Sequence, residues 1–487
     1  MITLPDLTTL HSLERFGLDV LVDLSCLPVV DDASAPVVRL EITAQAPPLG
    51  DLRTAAARQW DIERGDAIVR VPRAVLRCLG DIAAGIAEQR SSQRDRFDRV
   101  PSSENVLVQH GVAGEPIVSR AAQQLRDAVI ASAAASRRSV ATLSPWPDGR
   151  RWAVAVTHDL DVVDLWPAFT ALRLAELARK RQVGRMARVL GAAALTLGRN
   201  PVQRGIQQML ETERARNVVS TLFVLCGTPT LGTMRAGDLT YRPDGRGARK
   251  AIGAFRTHGC EINLHGSFET SDRPAAFAEQ RARLADLSDS AVLGVRQHFL
   301  RMHPGQTMLG MTDAGFRFDS TWGFPDRNGF RLGVADVIPN WDGAGERQRA
   351  LDLQEAPVIW MDRALSKYAG VEDPEAWIEE GAALARACRD VGGLWVGVWH
   401  PNLTAPLGFP GAPEAFTALL DRLLADAPHV APLGELVEWR LARRSVRVRG
   451  VLADGTPDAY TSRTSPVELT LADPSGARRY STRATPR

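Results

Sequence analysis

Five times in this chain, a short apolar run that reads as a buried strand ends abruptly in His, Asp or Arg. Ala153 to Val156 is followed by Thr157-His158-Asp159-Leu160-Asp161, and Glu261 to Leu264 by His265-Gly266-Ser267. Ala291 to Val295 ends in Arg296-Gln297-His298, Gly315 to Phe318 in Asp319-Ser320-Thr321, and Leu394 to Trp399 in His400-Pro401-Asn402. Runs of small and β-branched residues without a helical period suit strands buried on both faces, and so a parallel sheet. In parallel β/α barrels the C-terminal strand ends open on a common mouth. Two carboxylates and an imidazole there cost folding energy unless they are paired or bind a cation. An Asp after a strand often caps the next helix, and any one of these histidines alone reads as a hydrogen-bonded structural residue. The repetition favours one shared polar site, with a carboxylate on a metal and a second carboxylate free to act as a base.

The rest of the chain sorts around that pattern. Residues from about 150 to 440 alternate short strands with helical stretches, as an α/β domain does. Pro145-Trp146-Pro147-Asp148-Gly149 is a turn cluster and a natural boundary. The expected organisation is an α+β module over 1–148, a β/α barrel over 149–440 with a helical insertion over 164–216, and a small β-rich appendage over 441–487. In the module, Val37 to Ile42 alternates as a strand and Ala121 to Ala135 reads as a helix. The appendage alternates Val and Arg, with turns at Asp454-Gly455 and Ser475-Gly476.

A net charge of +2 on 487 residues argues against nucleic acid as the partner. The five cysteines are scattered without metal-type spacing and read as small buried hydrophobes in a reducing compartment. No basic segment precedes an apolar core near Met1, and no apolar run has the length of a membrane span. A cytoplasmic protein is expected. The insertion stands apart: Arg173 to Arg216 holds ten basic residues against three acidic ones, interleaved with Leu172, Leu177, Val183, Met186, Val189 and Leu190. That is the pattern of a basic amphipathic helix, either a solvated face or a contact with an anionic membrane surface or an acidic glycan.

Six motifs in order carry a resemblance to a known family: Thr157-His158-Asp159-Leu160-Asp161, Ser220 to Leu225, Cys260 to Phe268, Gly294 to Arg301, Gly315 to Thr321, and Trp399-His400-Pro401-Asn402. Together they resemble the polysaccharide deacetylase (NodB-homology, carbohydrate esterase 4) superfamily, and its Thr-His-Asp-x-Asp branch in particular. The segment Arg94 to Pro101 resembles the N-terminal module preceding that branch. The resemblance implies a distorted (β/α) barrel and a divalent metal, zinc first, that assists hydrolysis of an N-acetyl group on an amino sugar. It implies Asp159 as general base, Asp161 and His265 as metal ligands, Arg296 as the partner of the base, and His400 as general acid. The implied partner is an amino-sugar glycan or glycolipid precursor of a surface polysaccharide.

The usual second histidine of the metal motif is missing, and Glu269 stands at its position in His265-Gly266-Ser267-Phe268-Glu269. A carboxylate can replace an imidazole on zinc, so Glu269 is one candidate third ligand and His298 the other. Asp319 is expected to organise the site through Arg296 or Arg301, and Trp322 is the best candidate for stacking on a sugar. His158 is either a partner of the site or a packing residue. A non-catalytic glycan-binding descendant is the alternative function. A hydrolase for another amide or ester is a third, because fold and metal do not fix the acyl group.

Overall fold

The computed structural model describes residues 1–30, 38–44, 52, 60–164, 166–196, 199–343, 348–451, 457–472 and 478–486. Its centre is a curled sheet of nine strands: β1 (Ala153–Leu160), β2 (Thr221–Leu225), β3 (Glu261–Gly266), β4 (Gly294–Gln297), β5 (Phe318–Asp319), β6 (Ile338–Asp342), β7 (Arg349–Glu355), β8 (Trp360–Met361) and β9 (Leu394–Val398). They lie in the order β6-β7-β5-β4-β3-β2-β1-β9-β8, and only β6 and β7 pair antiparallel. His429–Val430 adds a short strand beside the start of β1.

The sheet is curled because the chain leaves it no alternative. Strands β7 and β8 stand near opposite ends of the hydrogen-bonded order, which in a flat sheet would put them roughly 34 Å apart at the usual strand spacing. The link between them, residues 356–359, spans at most about 18 Å when extended. Ala356 N donates to Asp319 O and Ile359 N to Val396 O, so the link bridges the gap between β5 and β9. The result is a distorted, nearly closed (β/α) barrel. Strands β6 to β8 are not announced by the recurring pattern, because β8 is two residues long and β6 and β7 are interrupted by polar residues instead of forming an apolar run.

Side chains alternate across β1, so Thr157 and Asp159 face the barrel interior while His158 faces the surrounding helices. Inside, Ala153, Ala155, Phe223, Phe318 and Val396 fill the floor beneath the polar residues. The start of helix Leu433–Arg444 closes the bottom: Leu433 N donates to Thr221 Oγ1, and Gly434 N to Glu261 Oε2. The insertion forms three helices, Trp166–Arg179, Val183–Ala194 and Pro201–Arg214.

The segments before and after the barrel share a second sheet. Val29–Val30 pairs parallel with Arg447 and Val448, and Val140–Leu143 pairs antiparallel with Leu469 to Ala472. The expected strand near Val37 to Ile42 is found at Val38–Thr43, and the expected helix near Ala121 to Ala135 at Ile117–Ala135. The turns expected at Asp454-Gly455 and Ser475-Gly476 lie outside the described residues. Arg440 and Arg443, both buried on the helix that follows the barrel, bond Asp336 and reach Asp23, which ties the two sheets together.

One feature of the barrel wall sets a pH dependence. Asp319 of β5 and Glu355 of β7 are register partners and both are fully buried. Burial, and then the neighbouring Asp319 carboxyl, push the Glu355 carboxyl well above its ordinary value. The folded state therefore keeps a proton that the unfolded chain releases above about pH 4.3. This contribution to stability is complete below that pH and is lost as pH rises through the folded-state value. Glu355→Gln has no proton to lose. The thermal midpoint of the variant relative to the parent, followed by circular dichroism, should rise between pH 5 and pH 8; a difference independent of pH would contradict a proton-sharing pair.

Candidate metal centre and active site

The ends of β1, β3, β4 and β9 converge as the barrel requires. Register places Leu225 beside His265, and His265 beside Arg296. Arg296 is fully buried and each of its three side-chain nitrogens makes a hydrogen bond. Nη1 bonds Asp159 Oδ1 at 2.8 Å and Thr157 Oγ1 at 2.9 Å, while Nε and Nη2 bond the Ser320 carbonyl and hydroxyl. Its guanidinium lies 4.1 Å from the Phe223 ring centroid. Burial raises the Asp159 carboxyl, but Arg296, His265 and His400 together outweigh it and hold the group below its usual value. Asp159 is thus an ionised carboxylate whose second oxygen faces the cavity, 3.7 Å from His265 Nε2.

Asp161, one residue past the strand, is the hub of the imidazoles. Its Oδ1 lies 3.5 Å from both His265 Nε2 and His298 Nε2, and its Oδ2 lies 3.5 Å from His400 Nε2. Burial opposes its ionisation, yet the surrounding imidazoles, His298 foremost, hold its carboxyl well below the normal range. Each imidazole is fixed by its far nitrogen: His265 Nδ1 faces the Arg296 carbonyl at 2.9 Å, and His298 Nδ1 faces Asp238 Oδ1 at 3.2 Å. That leaves both Nε2 atoms aimed at Asp161, the arrangement of histidines oriented for metal binding.

Asp161, His265 and His298 are one of two groups of donors close enough to share an ion among the described residues. The buried Asp161 Oδ1 has no hydrogen-bond partner. Donor atoms about 2.0–2.1 Å from a tetrahedral zinc lie roughly 3.3 Å from one another, so the 3.5 Å separations here fit a divalent ion with little movement. The second group, Asp98, Asp272 and His303, already has the Arg301 guanidinium between its two carboxylates, with Nη2 2.8 Å from each.

Across the cavity, His400 Nδ1 lies 2.6 Å from Asp362 Oδ1, and the His400 backbone N–H donates to Oδ2 at 2.7 Å. Burial lowers the imidazole's affinity for a proton, but Asp362, Asp161 and Asp159 more than reverse this, so its pKa is raised. A histidine whose protonated form is favoured in this way and whose Nε2 faces the cavity suits proton donation.

Several sequence expectations land elsewhere. Glu269 points outward from the short helix Phe268–Asp272, nearly half exposed, and bonds Arg273, so it is not part of the donor cluster. Trp322 is 1 % exposed and packs on Met308 and Gly85, so neither of its ring faces is open to a sugar. Asp319 bonds Thr321 and interacts with Glu355, and Arg296 acts on it only through its charge; the next residue, Ser320, makes the direct bonds to Arg296. Arg301 bonds the Phe268 carbonyl, Asp98 and Asp272, fastening the segment before the barrel to its rim. His158 contacts the Trp399 carbonyl at 2.8 Å and Glu213 at 2.6 Å, which fixes the residue before His400 from outside the barrel.

Four residues that the sequence did not single out line or support the cavity. Asp362 follows the two-residue strand β8 and is a strand-end Asp whose strand is too short to notice. Asp238 sits in a loop without a pattern. Arg99, within the stretch Arg94 to Pro101, donates to the Phe299 carbonyl and the Tyr368 hydroxyl and lines the cavity. Phe299 holds φ 59°, and with Leu300 at 54° this turn directs His298 inward and the Phe299 ring into the cavity wall.

Neither a family model nor a curated protein matches the chain. Among solved structures it is similar to a Mycobacterium smegmatis protein assigned to the polysaccharide deacetylases, at 23% identity and a TM-score of 0.40, over 63% of this chain and 96% of that one. It is also similar to the chitin deacetylase of the fungus Colletotrichum lindemuthianum, at 12% identity and TM-score 0.32, over 63% and 91%. A third is a CE4 family pseudoenzyme from Bacillus anthracis, at 9% identity and TM-score 0.30, over 58% and 65%.

The donor geometry separates the two candidate third ligands. Zinc affinity, measured by competition with a chromogenic chelator, should fall steeply in His298→Ala and stay unchanged in Glu269→Gln. Asp238→Asn should weaken it by about 10–100-fold, the usual worth of a carboxylate behind a ligating histidine. A loss in Glu269→Gln with none in His298→Ala would reverse the assignment.

Proposed function

We propose that this chain is a metal-dependent hydrolase that removes the N-acetyl group from an amino sugar of a surface polysaccharide or its precursor. The observation that carries the reading is the division of labour around one cavity. A carboxylate is kept ionised by a buried arginine, three donors are spaced for a cation, and a histidine whose proton is stabilised by Asp362 stands across from both. A glycan-binding module has no need of an acid and a base placed on opposite sides of a donor cluster.

Asp161, His265 and His298 would hold the metal, zinc by their chemistry. A metal there would polarise an amide carbonyl and make a water acidic. Asp159 accepts the proton of the attacking water through the oxygen that Arg296 leaves free. His400 gives its Nε2 proton to the departing amine nitrogen, and Asp362 fixes the ring and stabilises its charged form. Arg99, Phe299, Met361 and Tyr368 shape the wall on which a sugar would rest.

Asp159→Asn should abolish amide hydrolysis and leave zinc binding intact, because only the base is lost. His400→Ala should slow amide hydrolysis by about two to four orders of magnitude, and should slow an activated ester far less, since that leaving group needs no proton. Steady-state rates on an acetylated amino sugar and on an aryl acetate check both. Equal losses on the two substrates would remove His400 from the acid role, and zinc loss in Asp159→Asn would remove Asp159 from the base role.

A further inference from the structure

The most exposed large apolar side chains among the described residues are confined to two short stretches of the chain. Leu172, Val183, Leu190 and Leu195 lie in the insertion, 51% to 77% exposed; Leu231 and Met234 lie on helix Leu231–Ala236, at 76% and 40%. Both stretches border the same cavity. Phe169, Leu172 and Arg173 line it from one side, and Gly237, just past the second helix, from another. The helix Val183–Ala194 packs on the turn Ala405–Leu407, whose Leu407 also lines it. That cavity shares Asp161, His298 and His400 with the catalytic one, so Leu172 lies at the entrance to the chemistry and the other exposed apolar residues lie on, or at the end of, helices that border it.

The charges beside them are one-sided. Arg179, Arg181, Arg188 and Arg235 are exposed, and none has a carboxylate within ion-pair distance among the described residues. Glu176, the acid of this stretch, is already held by Arg173 and Lys180. Inside the mouth, Arg363 lies over Phe409 and Lys367 over Phe299; among the described residues neither has a carboxylate within ion-pair distance, and Asp161 acts on both from further away. Large apolar groups left in water beside unpaired cations are the composition of a helix that lies in a bilayer interface. No helix of the described residues is long and apolar enough to cross a membrane.

We propose that this rim docks on an anionic lipid bilayer and seats the cavity mouth against the headgroups, so that the substrate enters as a sugar carried on a lipid phosphate. The leucines enter the acyl boundary, the four arginines meet lipid phosphates, and Arg363 and Lys367 receive the phosphate that joins sugar to lipid. The substrate class rests on the hydrolase reading above; the docking does not.

The test uses the full chain with vesicles of phosphatidylcholine alone or with phosphatidylglycerol. The chain should co-sediment with the anionic vesicles, and less as salt is raised. Replacing Arg179, Arg181 and Arg188 with Gln should weaken binding roughly a hundredfold at low salt, at about 1 kcal/mol for each cation. Leu190→Gln with Leu195→Gln should weaken it independently of salt. An environment-sensitive fluorophore on Leu172→Cys, and in a second variant on Leu231→Cys, should shift to the blue on binding, which places both sides of the mouth in the interface. Asp159→Asn should bind vesicles like the parent, so loss of the hydrolase reading leaves the docking result untouched. Absence of binding, binding with neither fluorophore shifting, or a concentration-dependent dimer that covers the leucines would each overturn the proposal.

Discussion

The buried pair of Arg296 and Asp159 is the constraint on which the site depends. Side-chain exposures of 0% and 4% mean that both charges have left water, a cost of several kcal/mol for each ion that only close geometry offsets. The guanidinium therefore engages all three of its nitrogens: with Asp159 and Thr157 of β1, and with Ser320 past β5, while Phe223 of β2 lies under its face. One side chain from β4 thereby reaches three other strands across the barrel interior. The same contacts leave Asp159 with one committed oxygen and one free, so the interaction that holds the walls together also creates a base.

Around that pair the barrel assigns roles by strand periodicity. Thr157 and Asp159 point in because they are two residues apart, and His158 points out because it lies between them. His158 nevertheless serves the site from outside, since its ring meets the carbonyl of Trp399, immediately before His400. Each imidazole in the cavity is backed by a different acceptor: a peptide carbonyl for His265, Asp238 for His298 and Asp362 for His400. These supports decide which ring nitrogen faces Asp161, so the cluster's chemistry is set one layer behind the residues that would touch a substrate.

Much of this was legible in the sequence, for a definable reason. Asp159, Asp161, His265, His298 and His400 line one cavity with Arg296 buried behind Asp159, and each lies at the end of an apolar run that could be read as a strand. The choice between Glu269 and His298 was not legible. Spacing along one segment suggested Glu269 one helical turn from His265, but the helix holding Glu269 is five residues long and bonds it to Arg273 in solvent. His298 stands immediately past the neighbouring strand, ahead of a turn with two left-handed residues, and no spacing within the His265 segment encodes that. Trp322 failed for a related reason: a position after a strand end does not show which layer packs over the ring. Asp319 stands at a strand end and Arg301 a short turn past one, but their side chains serve the barrel wall and the joint between segments.

X-ray absorption at the zinc edge, on protein loaded with zinc and freed of excess metal, tests the central claim most directly. Asp161, His265 and His298 predict scattering from two imidazoles and one carboxylate oxygen at about 2.0–2.1 Å, with lighter donors completing the set. The imidazole signal should halve in His298→Ala and stay intact in Glu269→Gln. A spectrum without imidazole scattering, or protein that retains no zinc after desalting, would contradict the account.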